Sequence, residues 1–127
     1  MTERVALDAN ALMMPVEVGV RVFEELDRVC GDYDPVVPDV VADELASLAD
    51  GNGEEATAAA VGTDLAARCS DQETDGQYAD DEIVALADAG AVDVVCTNDG
   101  PLRERVLAAG TPVVHLRGRN RLTRTHP

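Results

Sequence analysis

Carboxylates stand at four separated places in the 127-residue sequence where folding could gather them. Asp8 closes the apolar run 4–7 within Leu-Asp-Ala-Asn, and Asp99 follows the apolar run 92–97 within Cys-Thr-Asn-Asp. Asp80 and Asp81 open a helical pattern, and Glu44 lies inside another. Carboxylates drawn together repel one another and are costly unless a cation joins them. Hard oxygen donors of this kind select Mg²⁺ or Mn²⁺ over zinc. Each acid also has an ordinary use. Asp80 or Asp81 suits a helix N-cap, Asp99 suits a cap or a turn, and Glu44 suits a solvated helix face. Asp8 is the hardest to assign to plain surface charge, because an acid ending an apolar strand belongs at the rim of a sheet.

The elements that must position these acids alternate between strand and helix. Residues 4–7 read as a short strand. Pro15 suits the first turn of a helix, and Val18, Val22, Phe23, Leu26, Val29 and Cys30 then recur at helical spacing up to a stop at Gly31. Val36 and Val37 give a second strand, and Pro38-Asp39 opens a helix carrying Glu44. An Ala-rich helix over 54–69, with Gly62 at its centre, shows no chemical feature. The polar stretch 70–78 allows one short strand. A helix from Asp80 to Gly90, a strand over 92–97, a turn over 98–101 into a helix with Leu102, Val106 and Leu107 closed by Gly110, and a strand over 113–116 complete the pattern. Such alternation predicts an α/β fold with a mainly parallel sheet of four to five strands, covered on both faces. In parallel sheets ligands sit beyond the carboxyl ends of the strands. Asp8 and Asp99 would share that pole.

Composition removes several classes. The length supports one domain. No stretch approaches the ~20 apolar residues of a membrane span, and no signal-peptide pattern opens the chain. Cys30, Cys69 and Cys96 show no C-x-x-C spacing, so they read as small apolar residues in a reducing cytoplasm. Neither a Walker A loop nor a G-x-G-x-x-G fingerprint is present. His115 and His126, the two histidines, lie in no motif. The net charge is −15, all ten basic residues are Arg, and aromatics make up 2%. These features read as a halophile's surface, on which salt screens global charge to within a few ångströms. Residues 118–127 are expected as a basic tail after a domain over 1–117. Arg117, Arg119, Arg121 and Arg124 form the one basic cluster, either an arm for nucleic-acid phosphates or a soluble terminus.

VALDAN at 5–10, VVADEL at 40–45, YADDEIVALA at 78–87 and VVCTND at 94–99 together resemble the ordered motifs of the PIN-domain family. The resemblance spans residues 4–117. It is closest to the archaeal relatives of the PIN nucleases that process small-subunit ribosomal RNA, and more distant from the VapC toxins. It implies a three-layer α/β/α sandwich and four metal-site acids in order: Asp8, Glu44, Asp80 and Asp99. Asp81 remains an alternative third ligand, although the offsets to Ile83 and Ala87 favour Asp80. Asn10 would shape the first loop, and Thr97 would support the site by hydrogen bonding. The implied reaction is Mg²⁺- or Mn²⁺-dependent endonucleolytic hydrolysis of RNA, here a ribosomal RNA precursor. A VapC-type toxin ribonuclease shares the same fold, and a catalytically weak RNA-binding or assembly module would keep the fold without turnover. PIN domains often pair, so the resemblance also admits a homodimer.

Overall fold

The computed structural model describes residues 2–127. Its strands are β1 (Glu3–Leu7), β2 (Tyr33–Pro38), β3 (Ser70–Gln72), β4 (Val94–Cys96), β5 (Val113–Arg117) and β6 (Arg121–Thr125). Its helices are α1 (Ala9–Glu17), α2 (Val22–Cys30), α3 (Asp39–Ala49), α4 (Gly53–Ala66), α5 (Ala79–Asp88) and α6 (Gly100–Ala108). One sheet runs in the order β3-β2-β1-β4-β5-β6. The first five strands are parallel and β6 is antiparallel to β5. The order reverses direction between β1 and β4, so Leu7 pairs with Cys96 where a crevice opens past the strand ends. No helix among the described residues is long and apolar enough to cross a membrane.

Burial on both faces explains the unbroken apolar strands. Val5, Ala6, Leu7, Val94, Val95, Cys96, Val113 and Val114 are all fully buried. With almost no aromatics, the core is built of Val, Leu, Ala and Met, so helices must approach closely to leave no voids. Gly62 makes this possible. A Cβ there would meet Leu45 Cδ2 at 3.1 Å and the Leu12 carbonyl oxygen at 3.2 Å. Together with buried Ala58 and Ala59 it forms the small-residue face on which α4 meets α1 and α3.

Two expectations need correcting. Pro15 does not open a helix; it lies within α1, which starts directly after β1. Asp8 caps that helix by accepting from the Ala11 N–H, so the helix forms at once. The break comes at 18–21, where Gly19 takes a φ of 72° and Val20 is fully buried. The second correction concerns 118–127, which is not a tail. A Gly-Arg-Asn turn brings the chain back as β6, pairing Arg117 with Arg121 and Val113 with Thr125. The sheet therefore has six strands. Leu122 is 1% exposed, Glu25 of α2 accepts from the Leu122 N–H, and Arg124 forks onto both oxygens of Glu3 at 2.6 and 2.8 Å. The composition shift at 117 marks a charged edge strand, not a domain boundary.

Leu122→Ala should destabilise the protein by about 2–5 kcal/mol, whereas truncating a residue in a loose tail would change nothing. Gly62→Val should cost about 1–3 kcal/mol by overpacking. Urea unfolding checks both, the midpoint falling while the slope holds.

Candidate active site

Two strand ends and two helix starts converge at the crevice. Asp8 leaves β1 and caps α1, its Oδ1 accepting from the Ala11 N–H at 2.8 Å. Asp99 follows β4 and caps α6, its Oδ1 accepting from the Leu102 N–H at 3.0 Å. Thr97 ties the pair together. Its hydroxyl donates to Asp8 Oδ2 and accepts from the Asp99 N–H at 3.1 Å. Asn10 braces the same junction, its Oδ1 accepting from the Asn98 N–H at 3.1 Å. Capping and site-building are thus the same act at Asp8 and Asp99.

Asp8, Asn10 and Asp99 line a cavity of about 360 Å³ with Glu44 from α3 and Asp80 from α5. Of the acids read from the sequence, Asp8, Glu44, Asp80 and Asp99 come together there. Asp81 does not. One helical step of roughly 100° turns it away, and it accepts from Arg105 of α6 at 2.9 Å. Glu17 and Glu55 also line the cavity and were not foreseen. Glu17 could have been found, since it falls on one α1 face with Ala9 and Met13 at intervals of four. Glu55 had no such signal, because only the docking of α4 brings it near. Arg117, Arg119, Arg121 and Arg124 lie outside the cavity, on the β5–β6 hairpin.

The electrostatics follow from this crowding. Asp8 is 6% exposed. Burial pushes its pKa from the ordinary 3.8 up to about 7; the Thr97 hydroxyl and the Ala11 N–H pull the other way, and the charges of Asp80 and Asp99 add to the rise. Burial also raises Asp80, helped by Asp99 and opposed by Arg105. Glu44 is raised by burial and then by Asp80.

The cavity lining holds six carboxylates and no basic side chain, so none of them meets a cationic partner within the cup. That donor set fits a hard divalent cation. Among the described residues no group of three converges tightly enough to grasp an ion alone.

A family model described as PIN like domain matches residues 5–119. The chain belongs to that family. In structure it is similar to the PIN domain endonuclease Utp24, at 25% identity and a TM-score of 0.77, covering 97% of this chain and 92% of that one. It also resembles a domain of a functionally unknown protein from Methanocaldococcus jannaschii, at 13% identity and a TM-score of 0.65, covering 92% and 93%. The second likeness is one of fold alone. No curated protein matches the sequence.

An acid whose pKa is higher folded than unfolded holds a proton that the unfolded chain releases. Ionising Asp8 therefore costs stability as pH rises from 3.8 to about 7, and the full cost persists above that. Asp8→Asn keeps an acceptor for the Ala11 N–H and removes the charge. With chelator present, its melting temperature at pH 8 should exceed that of the parent PIN domain by roughly 5–10 °C, and the gap should close towards pH 4. Equal melting at pH 8 would show that Asp8 carries no such burden.

Proposed function

We propose that this PIN domain is a metal-dependent endoribonuclease that hydrolyses phosphodiester bonds in RNA, with a ribosomal RNA precursor as substrate. The observation that carries the reading is the uncompensated set Asp8, Glu44, Asp80 and Asp99 in one cavity at the point where the strand order reverses. Likeness to an endonuclease of the same fold supports hydrolysis. The motif resemblance to the small-subunit ribosomal RNA nucleases supports the substrate.

Asp8, Glu44, Asp80 and Asp99 would hold Mg²⁺ or Mn²⁺. When bound, such an ion lowers the pKa of a water and offsets charge on the scissile phosphate. The protein's own part is positioning. Thr97 and the Ala11 N–H fix both oxygens of Asp8, so the carboxylate cannot rotate away. The Leu102 N–H fixes one oxygen of Asp99 and leaves the other for the cavity. Asp80 and Glu44 close the cup from the helical side. No histidine lines the cavity, so removal of the water's proton falls to the carboxylates or to solvent.

Cleavage of a labelled RNA with Mn²⁺ tests this. Asp8→Asn, Asp80→Asn and Asp99→Asn should each lose more than about 100-fold in rate, exceeding the usual cost of losing a group that only orients a ligand. Thr97→Val should lose about 10- to 100-fold. Asp81→Asn should cleave nearly as the parent does. Cleavage undiminished in Asp8→Asn, or equal loss in Asp80→Asn and Asp81→Asn, would overturn the assignment.

A further inference from the structure

An RNA substrate must lie across an acidic cup on a protein of net charge −15. Phosphate attraction therefore has to come from some particular place. The fold offers two features at the same pole, one on each side of the crevice. On the β5 side stands the hairpin. Leu7, Cys96 and Val114 are level in register, so Arg117 lies three residues beyond that level, at the same end of the sheet as Asp8 and Asp99. The Gly118–Asn120 turn carries Arg119 farther still. Among the described residues, neither Arg117 nor Arg119 makes a hydrogen bond or ion pair, and both are exposed. Arg121 and Arg124 differ, because Glu25 and Glu3 hold their guanidinium groups. Arg117 also lines a basin with Arg28 and Arg121.

On the β3 side stands Tyr78. It is 71% exposed, in a chain with only three aromatic residues. It lies two residues before Asp80, at the start of α5, and its side chain caps nothing. The loop leading to it is held beside α3 by the Val40 N–H, which donates to Thr74 Oγ1. An exposed ring on an ordered backbone is a stacking surface, since every base offers a π-face.

We infer that single-stranded RNA crosses the cup with one base stacked on Tyr78 and its phosphates on the other side held by Arg117 and Arg119. Arg121 and Arg124 brace the hairpin and do not touch the RNA. The inference rests on the ribonuclease reading and specifies how that site takes its substrate. A base stacked on Tyr78 binds independently of salt, whereas the arginine contacts weaken as salt rises.

Fluorescence anisotropy with a fluorescein-labelled single-stranded RNA of mixed sequence tests this in the Asp8→Asn background, which stops cleavage. Tyr78→Ala should weaken binding roughly 5- to 100-fold, and Tyr78→Phe should restore it. The salt slope should stay the same in both. Arg117→Ser with Arg119→Ser should flatten the slope of log affinity against log salt by roughly 1.4, about 0.7 per contact. Binding unchanged in Tyr78→Ala and in the double variant would overturn the track, and cleavage by the parent protein would then leave the ribonuclease reading standing. Tight binding that responds as stated, without cleavage by the parent protein, would support the track and remove the ribonuclease. A parent that neither binds nor cleaves RNA would overturn both. Loss of binding in Arg124→Ser equal to that in the hairpin double variant, with the melting temperature unchanged, would contradict the division among the arginines.

Discussion

A buried carboxylate at the end of the central strand governs the architecture. Asp8 is buried, so the protein must satisfy it, and it does so with groups from two elements. The Ala11 N–H comes from the helix it starts, and the Thr97 hydroxyl comes from the end of the adjacent strand. Thr97 in turn receives the N–H of Asp99. Unpaired polar groups are expensive when buried, so this chain of contacts fixes β1, β4, α1 and the entry to α6 relative to one another. The same contacts aim Asp8 and Asp99 into one cavity. Stability and site geometry share their hydrogen bonds, and the excess of negative charge is what remains uncompensated.

Much of the fold was legible because its signals are local. Valine-rich runs bounded by Asp, Gly and Pro mark parallel strands, and the strand–helix alternation leaves few topologies. Asp80 and Asp99 were legible as candidates for the same reason, since a helix start and a strand end place them at one pole, whereas Glu44 lies in the middle of α3 and was legible through the family resemblance. The misreadings fall where tertiary contacts outvote local preference. Pro15 is tolerated in the second turn of α1 because the Asp8 cap has already started the helix. The ending RGRNRLTRTHP looks like a solvated tail by composition, yet Leu122 is buried and Arg124 finds Glu3 at the start of the chain. No local pattern announces a contact between residues 121 positions apart.

The choice between Asp80 and Asp81 shows how fine the unread detail is. Both begin the same helix, and both are helix-start acids of equal merit in sequence. Rotation by one residue sends one towards Glu44 and Asp99 and the other towards Arg105. An arginine partner would blunt an acid's attraction for a cation, and Asp80 has no such partner at hydrogen-bond distance. The ion pair at Asp81 thereby keeps its charge from adding fully to the crowding in the cup.

The same logic separates the arginines of the hairpin. Glu25 sits where Arg28, Arg121 and the Leu122 N–H all reach it, and its pKa is held down at about 2, first by Arg28 and then by the Leu122 N–H. It stays ionised through the physiological range, so the contacts of α2 with Arg121 and the Leu122 N–H hold there. A hairpin fastened at its base can carry Arg117 and Arg119 outward without collapsing onto the acidic body. In a protein with 25 acids and 10 arginines, an unpaired arginine is a scarce group. Its nearest attraction would ordinarily be a neighbouring carboxylate. Placing one at the end of β5 and the other on the following turn, with no acid between residues 100 and 127 except Glu104, keeps them from being neutralised by sequence neighbours. The excess of acid and the position of the exposed arginines are therefore one constraint. Acids gathered in the cup would capture a neighbouring arginine, and neither Arg117 nor Arg119 lines that cup.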